Sequence, residues 1–97
     1  MQIQIISVGK LKEKYLKDAV LEYTKRLSRF CKIDILEAAE EKVPENLSSQ
    51  EEDLARKREA DKIRSLLSRN TFTVVLDLKG EQPTSPQLAQ KLSAWML

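Results

Sequence analysis

The chain contains no histidine and a single cysteine, Cys31, so its own residues cannot assemble an imidazole–thiolate metal site or a Ser-His or Cys-His nucleophile. What remains for chemistry are carboxylates and cations. One carboxylate stands apart: Asp77 sits near the end of the apolar run Phe72-Thr73-Val74-Val75-Leu76-Asp77-Leu78, just before Lys79-Gly80. In open α/β sheets ligands bind beyond the carboxyl ends of such strands, which makes this turn the first place to look for a small molecule. Asp34 and Glu37 also form a pair, but nothing in the sequence brings them to a cleft. Glu40, Glu41 and Glu45 lack the oxygen-ligand offsets and tight-turn glycine of a Ca²⁺ loop.

Asp77 has two readings. LDLKG looks like the strand end of receiver domains in two-component signalling, where an aspartate accepts a phosphoryl group. Those domains also place an acidic pair after the first strand to hold Mg²⁺, and here that place reads Val8-Gly9-Lys10. The plainer reading is a polar residue closing a strand. Gly9 and Gly80 are the only glycines, so neither G-x-G-x-x-G nor the P-loop pattern can be drawn.

The formal net charge of +2 is unevenly spread along the chain. Lys10–Lys32 carries a net of +5, Asp34–Asp53 a net of −7, and the remainder from Leu54 a net of +4. This asymmetry suits an anionic partner such as RNA, and it also suits an ordinary solvated surface. Two segments concentrate the cations. Arg56, Lys57, Arg58, Lys62 and Arg64 form the denser cluster, without interleaved aromatic residues to stack bases. Lys14, Lys25 and Arg29 lie on the polar side of an earlier helix, where a charged outer face is the usual arrangement.

Periodicity supplies the elements that would position these groups. Gln2–Val8 alternates and then runs apolar, as in a first strand, and Gly9 turns the chain. From about Lys12 to Phe30 the period is helical, with Tyr15, Leu16, Ala19, Val20, Tyr23, Leu27 and Phe30 on one broad apolar stripe. Lys32–Glu37 reads as a second strand, and Ala38–Asn46 as a polar connection. Ser48 and Ser49 stand three residues before Glu51 and Glu52, capping-box spacing that starts a helix near Ser49 and carries it to about Ser68. Phe72–Leu78 reads as a third strand buried on both faces. Thr84 or Ser85 then caps a third helix with Pro86 at its first position and Leu88, Leu92, Trp95 and Met96 as its buried stripe.

Strand–helix–strand–helix–strand–helix is the order of an α/β layered fold with a mainly parallel sheet. Ninety-seven residues suit one domain, 1–97. No aliphatic stretch approaches the roughly 20 residues needed to cross a bilayer, and Met1-Gln2-Ile3-Gln4 lacks a signal-peptide n-region. A soluble, cytoplasmic protein without membrane or metal partners is expected.

The opening IQIISVGKLKEKYLKDAVLEYTKRLSRFCKIDILE, the connection EEKVPENLS, the strand VVLDLKG and the helix SPQLAQKL together resemble the ribosomal RNA large subunit methyltransferase H family across essentially all 97 residues. VGKLKEKY and the strand–turn–helix with its S-x-x-L-A pattern are the most distinctive parts. The resemblance implies an S-adenosylmethionine-dependent methyltransferase of the SPOUT class, acting on N3 of a pseudouridine in 23S ribosomal RNA on the assembled ribosome. It implies a three-layer α/β fold, with a C-terminal trefoil knot that holds the cofactor and pairs two subunits as a homodimer. One cofactor-binding position of the family corresponds to Leu76, as an apolar wall. No catalytic residue is carried over. The alternative is a non-catalytic α/β RNA-binding or interaction module.

The sequence departs from the family pattern at its end. Members continue into a Gly-Gly loop, a threonine–proline–histidine segment and a Tyr-His-rich tail, none of which precedes Leu97. The expectation is the N-terminal part of a SPOUT fold with the knot missing, inactive by itself, with the Phe72 strand left at an unpaired edge. The 97-residue chain should therefore give no transfer of labelled methyl from S-adenosylmethionine to ribosomes; incorporation above a protein-free control would refute this.

Overall fold

The computed structural model describes residues 1–42 and 45–96, in two compact units, Met1–Leu67 and Ser68–Leu97. Val43 and Pro44, within the polar connection read from the sequence, lie outside the described residues, as does Leu97.

The first unit is built on two parallel strands, β1 (Gln2–Val8) and β2 (Lys32–Ala38). Their register pairs Ile3 with Ile33 and Ile5 with Ile35, and on alternate positions Ile6 with Leu36 and Val8 with Ala38. Paired residues of neighbouring strands share a face, so these are two apolar rows on opposite sides of the sheet. The ladder is extended at both ends, where the Lys32 amide donates to the Met1 carbonyl at 3.0 Å and the Gly9 amide to that of Ala38 at 2.8 Å.

Parallel strands cannot be joined by a hairpin, and α1 (Lys14–Leu27) makes the crossover. It is shorter at each end than the periodicity suggests. Glu13 precedes it without a side-chain cap, and beyond Leu27 the amides of both Phe30 and Cys31 fold back onto the Leu27 carbonyl as a turn. Glu22 and Arg26 brace its outer side at 3.0 Å. The helix packs against β2, with Val20 and Thr24 as its half-buried positions.

The next helix, α2 (Ser49–Leu66), packs against both strands. Ser48 caps it by accepting from the Glu51 amide at 3.2 Å, and Glu51 and Glu52 lie where the helix dipole favours negative charge. Lys62 fastens it to the chain leaving β2: its Nζ donates to the Ala39 carbonyl at 3.2 Å and lies 3.1 Å from Glu41 Oε1. The buried apolar residues among those described are two alanines, Ala38 on β2 and Ala55 on α2. Small side chains at such points allow a helix to approach a strand closely. Ile3, Ile6, Ile33, Leu36, Ile63 and Leu66 are half-buried around them.

The α/β class and the parallel pairing agree with the sequence reading; Phe72–Leu78 does not. It forms no strand, ending in a turn at Leu78; the sheet among the described residues has two strands, and Val75, Leu76 and Leu78 are exposed rather than buried. An apolar run reports a preference for burial, whereas a strand requires a ladder partner for its backbone. The stripe of α1 also differs from expectation, because Tyr15, Tyr23 and Phe30 are exposed.

Gly9 turns the chain out of β1 with φ of +84°, a conformation that costs a residue with a Cβ about 1–2 kcal/mol. Gly9→Ala should lower the stability of the chain by about that amount. A urea midpoint unchanged from wild type would contradict it.

Candidate functional site

The turn after Leu76 is held by its own backbone. Asp77 Oδ1 accepts from the Lys79 amide at 3.0 Å, and the Asp77 carbonyl accepts from the Gly80 amide at 3.0 Å. This is an Asx-type turn, and it gives Asp77 a structural task. One of its two carboxylate oxygens is thus used to close the chain. This bond is what the plainer reading of Asp77, a polar residue closing the chain at a turn, calls for. A Cβ on Gly80 would stand 3.2 Å from the Asp77 carbonyl oxygen, tight enough to force the turn to shift.

From there Glu81–Pro83 leads to α3 (Ser85–Trp95), the third helix of the chain. Thr84 is its cap. Thr84 Oγ1 accepts from the Gln87 amide at 3.3 Å and Gln87 Oε1 accepts from the Thr84 amide at 2.9 Å, the reciprocal pair of a capping box. With Ser85 at the first helical position, Pro86 occupies the second, where its missing N–H is equally unneeded. Lys91 reaches back 3.2 Å to Glu81, and Phe72 stacks on Trp95 with ring centroids 5.2 Å apart. The stripe Leu88–Leu92–Trp95–Met96 is only partly covered, with Leu92 and Trp95 half-buried and Leu88 and Met96 exposed.

Leu76, the cofactor position implied by the resemblance, is 95% exposed, and Leu78 is 99% exposed. A groove of about 470 Å³ in the same unit is lined by Glu81, Gln82, Pro83, Gln87 and Lys91 among others, and Leu76 is not part of it. The structure thus displays Leu76 as an uncovered apolar side chain beside a fixed turn.

At the carboxyl end of β1 and β2 in the first unit stand Gly9, Glu40, Glu41 and Lys62. Lys62 neutralises Glu41 there, and Glu40 lies beside Gly9. At the opposite end of the sheet, an open groove of about 560 Å³ runs between the end of α1 and the start of β2, past Arg29, Phe30, Cys31 and Lys32. Asp34, on the wall of that groove, accepts from Gln2 at 3.3 Å. No group of three or more Cys, Asp or Glu side chains among the described residues is arranged to hold a metal ion, and no helix is long and apolar enough to cross a membrane.

Residues 1–97, β1 through α3, match the family described as "Predicted SPOUT methyltransferase". The chain belongs to the SPOUT methyltransferase family. It is 50% identical over all 97 residues to the ribosomal RNA large subunit methyltransferase H of Acetivibrio thermocellus, covering 61% of that protein. Against the proteins of the same name from Clostridium beijerinckii and Clostridium kluyveri it is 48% and 49% identical, over 92% and 93% of this chain and 56% and 57% of theirs. The chain spans a little over half the length of these curated relatives and corresponds to their N-terminal part.

Sequence reasoning placed a turn at Lys79-Gly80 and a helix cap at Thr84 or Ser85, and the structure makes Thr84 the cap. It gave no sign that Asp77 is engaged by the Lys79 amide, although an Asp two residues before a free amide at a turn is the pattern that would have suggested it. Thr84→Ala should destabilise α3 by about 1 kcal/mol by removing one capping bond. The expected result is loss of helical ellipticity on mild heating, and an unchanged melting profile would show that the box contributes nothing.

Proposed function

We propose that the protein to which this chain belongs is an S-adenosylmethionine-dependent methyltransferase of large-subunit ribosomal RNA, acting on N3 of a pseudouridine in 23S RNA. The observation that carries the reading is the match of every described element to the SPOUT methyltransferase family, with 48–50% identity to three relatives named for that RNA. Work on an assembled ribosome in the cytoplasm, as a homodimer, belongs to the same proposal.

The residues present fit the cofactor on one side. S-adenosylmethionine would supply a methyl group on a sulfonium, to be taken by the pseudouridine N3 once its proton has passed to solvent, with the electron pair of the broken bond remaining on sulfur. Leu76 offers an apolar side chain against which a flat ring loses water. The Asx turn from Asp77 to Gly80 fixes the backbone that follows, and Gly80 keeps that turn free of a side chain. The role of these residues is to bind and orient; no proton transfer is assigned to them.

The exposure of Leu76 makes the test clean, because a charge at a fully solvated position costs the fold little. The gene product, with whatever follows codon 97 in its frame, is assayed for labelled methyl transfer to ribosomes lacking the modification and for binding of the demethylated cofactor by calorimetry. Transfer to 23S RNA is expected, with Leu76→Asp weakening cofactor binding about tenfold or more, the order of burying an unpaired charge against an apolar ligand surface. RNA binding without any cofactor binding would overturn the reading and favour the non-catalytic module.

A further inference from the structure

Among the described residues little packs over Leu76, whose side chain is 95% exposed, and Val75 and Leu78 nearby are exposed as well. Its place is set by the chain on either side. Upstream, Phe72 stacks on Trp95 at the end of α3, with ring centroids 5.2 Å apart. Downstream, Glu81 is tied to Lys91 of the same helix at 3.2 Å. The segment that carries Leu76 is thus pinned to α3 before and after, and its course between the pins is a matter of backbone dihedrals.

Two hydrogen bonds fix those dihedrals between Leu76 and Glu81, and Asp77 accepts both. Its Oδ1 takes the Lys79 amide at 3.0 Å, and its carbonyl takes the Gly80 amide at 3.0 Å. The carbonyl bond could be made by any residue at this position. The side-chain bond could not: it needs a short side chain with an oxygen acceptor, and it competes with other local conformations of the turn. Asp77 makes no ion pair among the described residues that would draw it away. Without the side-chain bond residues 76–80 would sample more conformations, and a ligand that requires one of them binds only the fraction of molecules already in it. Leu76 is exposed to this loss, because no packing among the described residues would restore its place.

We propose that Asp77 is a positioning residue for cofactor binding: the bond from the Lys79 amide to its Oδ1 holds Leu76 where a ring of S-adenosylmethionine can lie against it. This role rests on the methyltransferase reading and on Leu76 as a wall for the cofactor, and it adds the group that keeps the wall in place. Asp77 acts through the backbone and touches no cofactor atom. The property that counts is an oxygen acceptor at this position, which an asparagine also offers, and not the negative charge.

The test uses the full gene product, with whatever follows codon 97 in its frame, and the demethylated cofactor as the probe in calorimetry. Asp77→Ala should weaken binding by about threefold to fivefold, the reach of one net hydrogen bond, while Asp77→Asn should bind as the wild type does. In the cofactor-free protein, hydrogen exchange at the Lys79 amide should quicken in Asp77→Ala and keep its wild-type rate in Asp77→Asn. Unchanged affinity or unchanged Lys79 exchange in Asp77→Ala would overturn the proposal. Asp77→Asn binding as weakly as Asp77→Ala would overturn it as well, by making the charge the property that counts. Loss of helical circular dichroism in Asp77→Ala would do the same, by making Asp77 a general support of the fold. Absence of cofactor binding by the wild type would remove the methyltransferase reading and this role together, whereas a wild type that binds beside an indifferent Asp77→Ala removes the role alone.

Discussion

The parallel pairing of β1 with β2 is the constraint from which the rest of the first unit follows. Parallel strands require a crossover, and α1 supplies it. Parallel sheets also require cover, since the register places apolar rows on both faces. α2 answers part of that need through Ala55 and the half-buried Ile63 and Leu66. Lys62 adds a polar fastening to Ala39 and Glu41 at the end of the strand α2 covers. A two-stranded parallel sheet is marginal by itself, so this helix matters more here than it would beside a wide sheet.

The parts of the structure legible in the sequence are those decided by short separations. Ser48 and Ser49 before Glu51 and Glu52, and Thr84-Ser85 before Pro86, identify their helix starts within one residue, because caps and first-turn residues lie only a few positions apart. Gly9 marked the end of β1 because its φ is positive. Periodicity was equally sound about which residues of α1 share a side. It could not say whether anything covers that side, because cover is supplied by residues distant in sequence. Tyr15, Tyr23 and Phe30 therefore read as core and stand in solvent. Phe72–Leu78 makes the same point for a strand: its apolar content was evident, while pairing depends on a neighbour that no local pattern specifies.

Charge behaves the same way. Arg56, Lys57 and Arg58 are consecutive and read as a basic patch, yet Arg56 lies within 3.7 Å of Glu52 and 3.5 Å of Asp53, and farther along α2 Arg64 lies 3.4 Å from Asp61. The density of cations along a sequence is a poor guide to potential; their surplus over acids within one or two turns is a better one. By that measure Lys10–Lys32 is the more positive segment, and it holds three of the five aromatic residues, Tyr15, Tyr23 and Phe30.

Leu76, proposed above as a cofactor wall, stands beside backbone that is closed by its own short-range bonds. Asp77–Gly80 and Thr84–Gln87 are each closed by hydrogen bonds between residues two or three apart, and Lys91 ties back to Glu81. None of these bonds depends on Leu76 being covered. The backbone on which Leu76 stands is therefore ordered locally, while the apolar surface it offers is left to water. Ordering the backbone in advance removes part of the entropic cost of binding, and leaving the side chain wet keeps its desolvation as driving force for the moment a ligand arrives. Those two conditions are set by different residues, so a substitution at Asp77 or Thr84 would loosen the frame while one at Leu76 would change only what the frame presents.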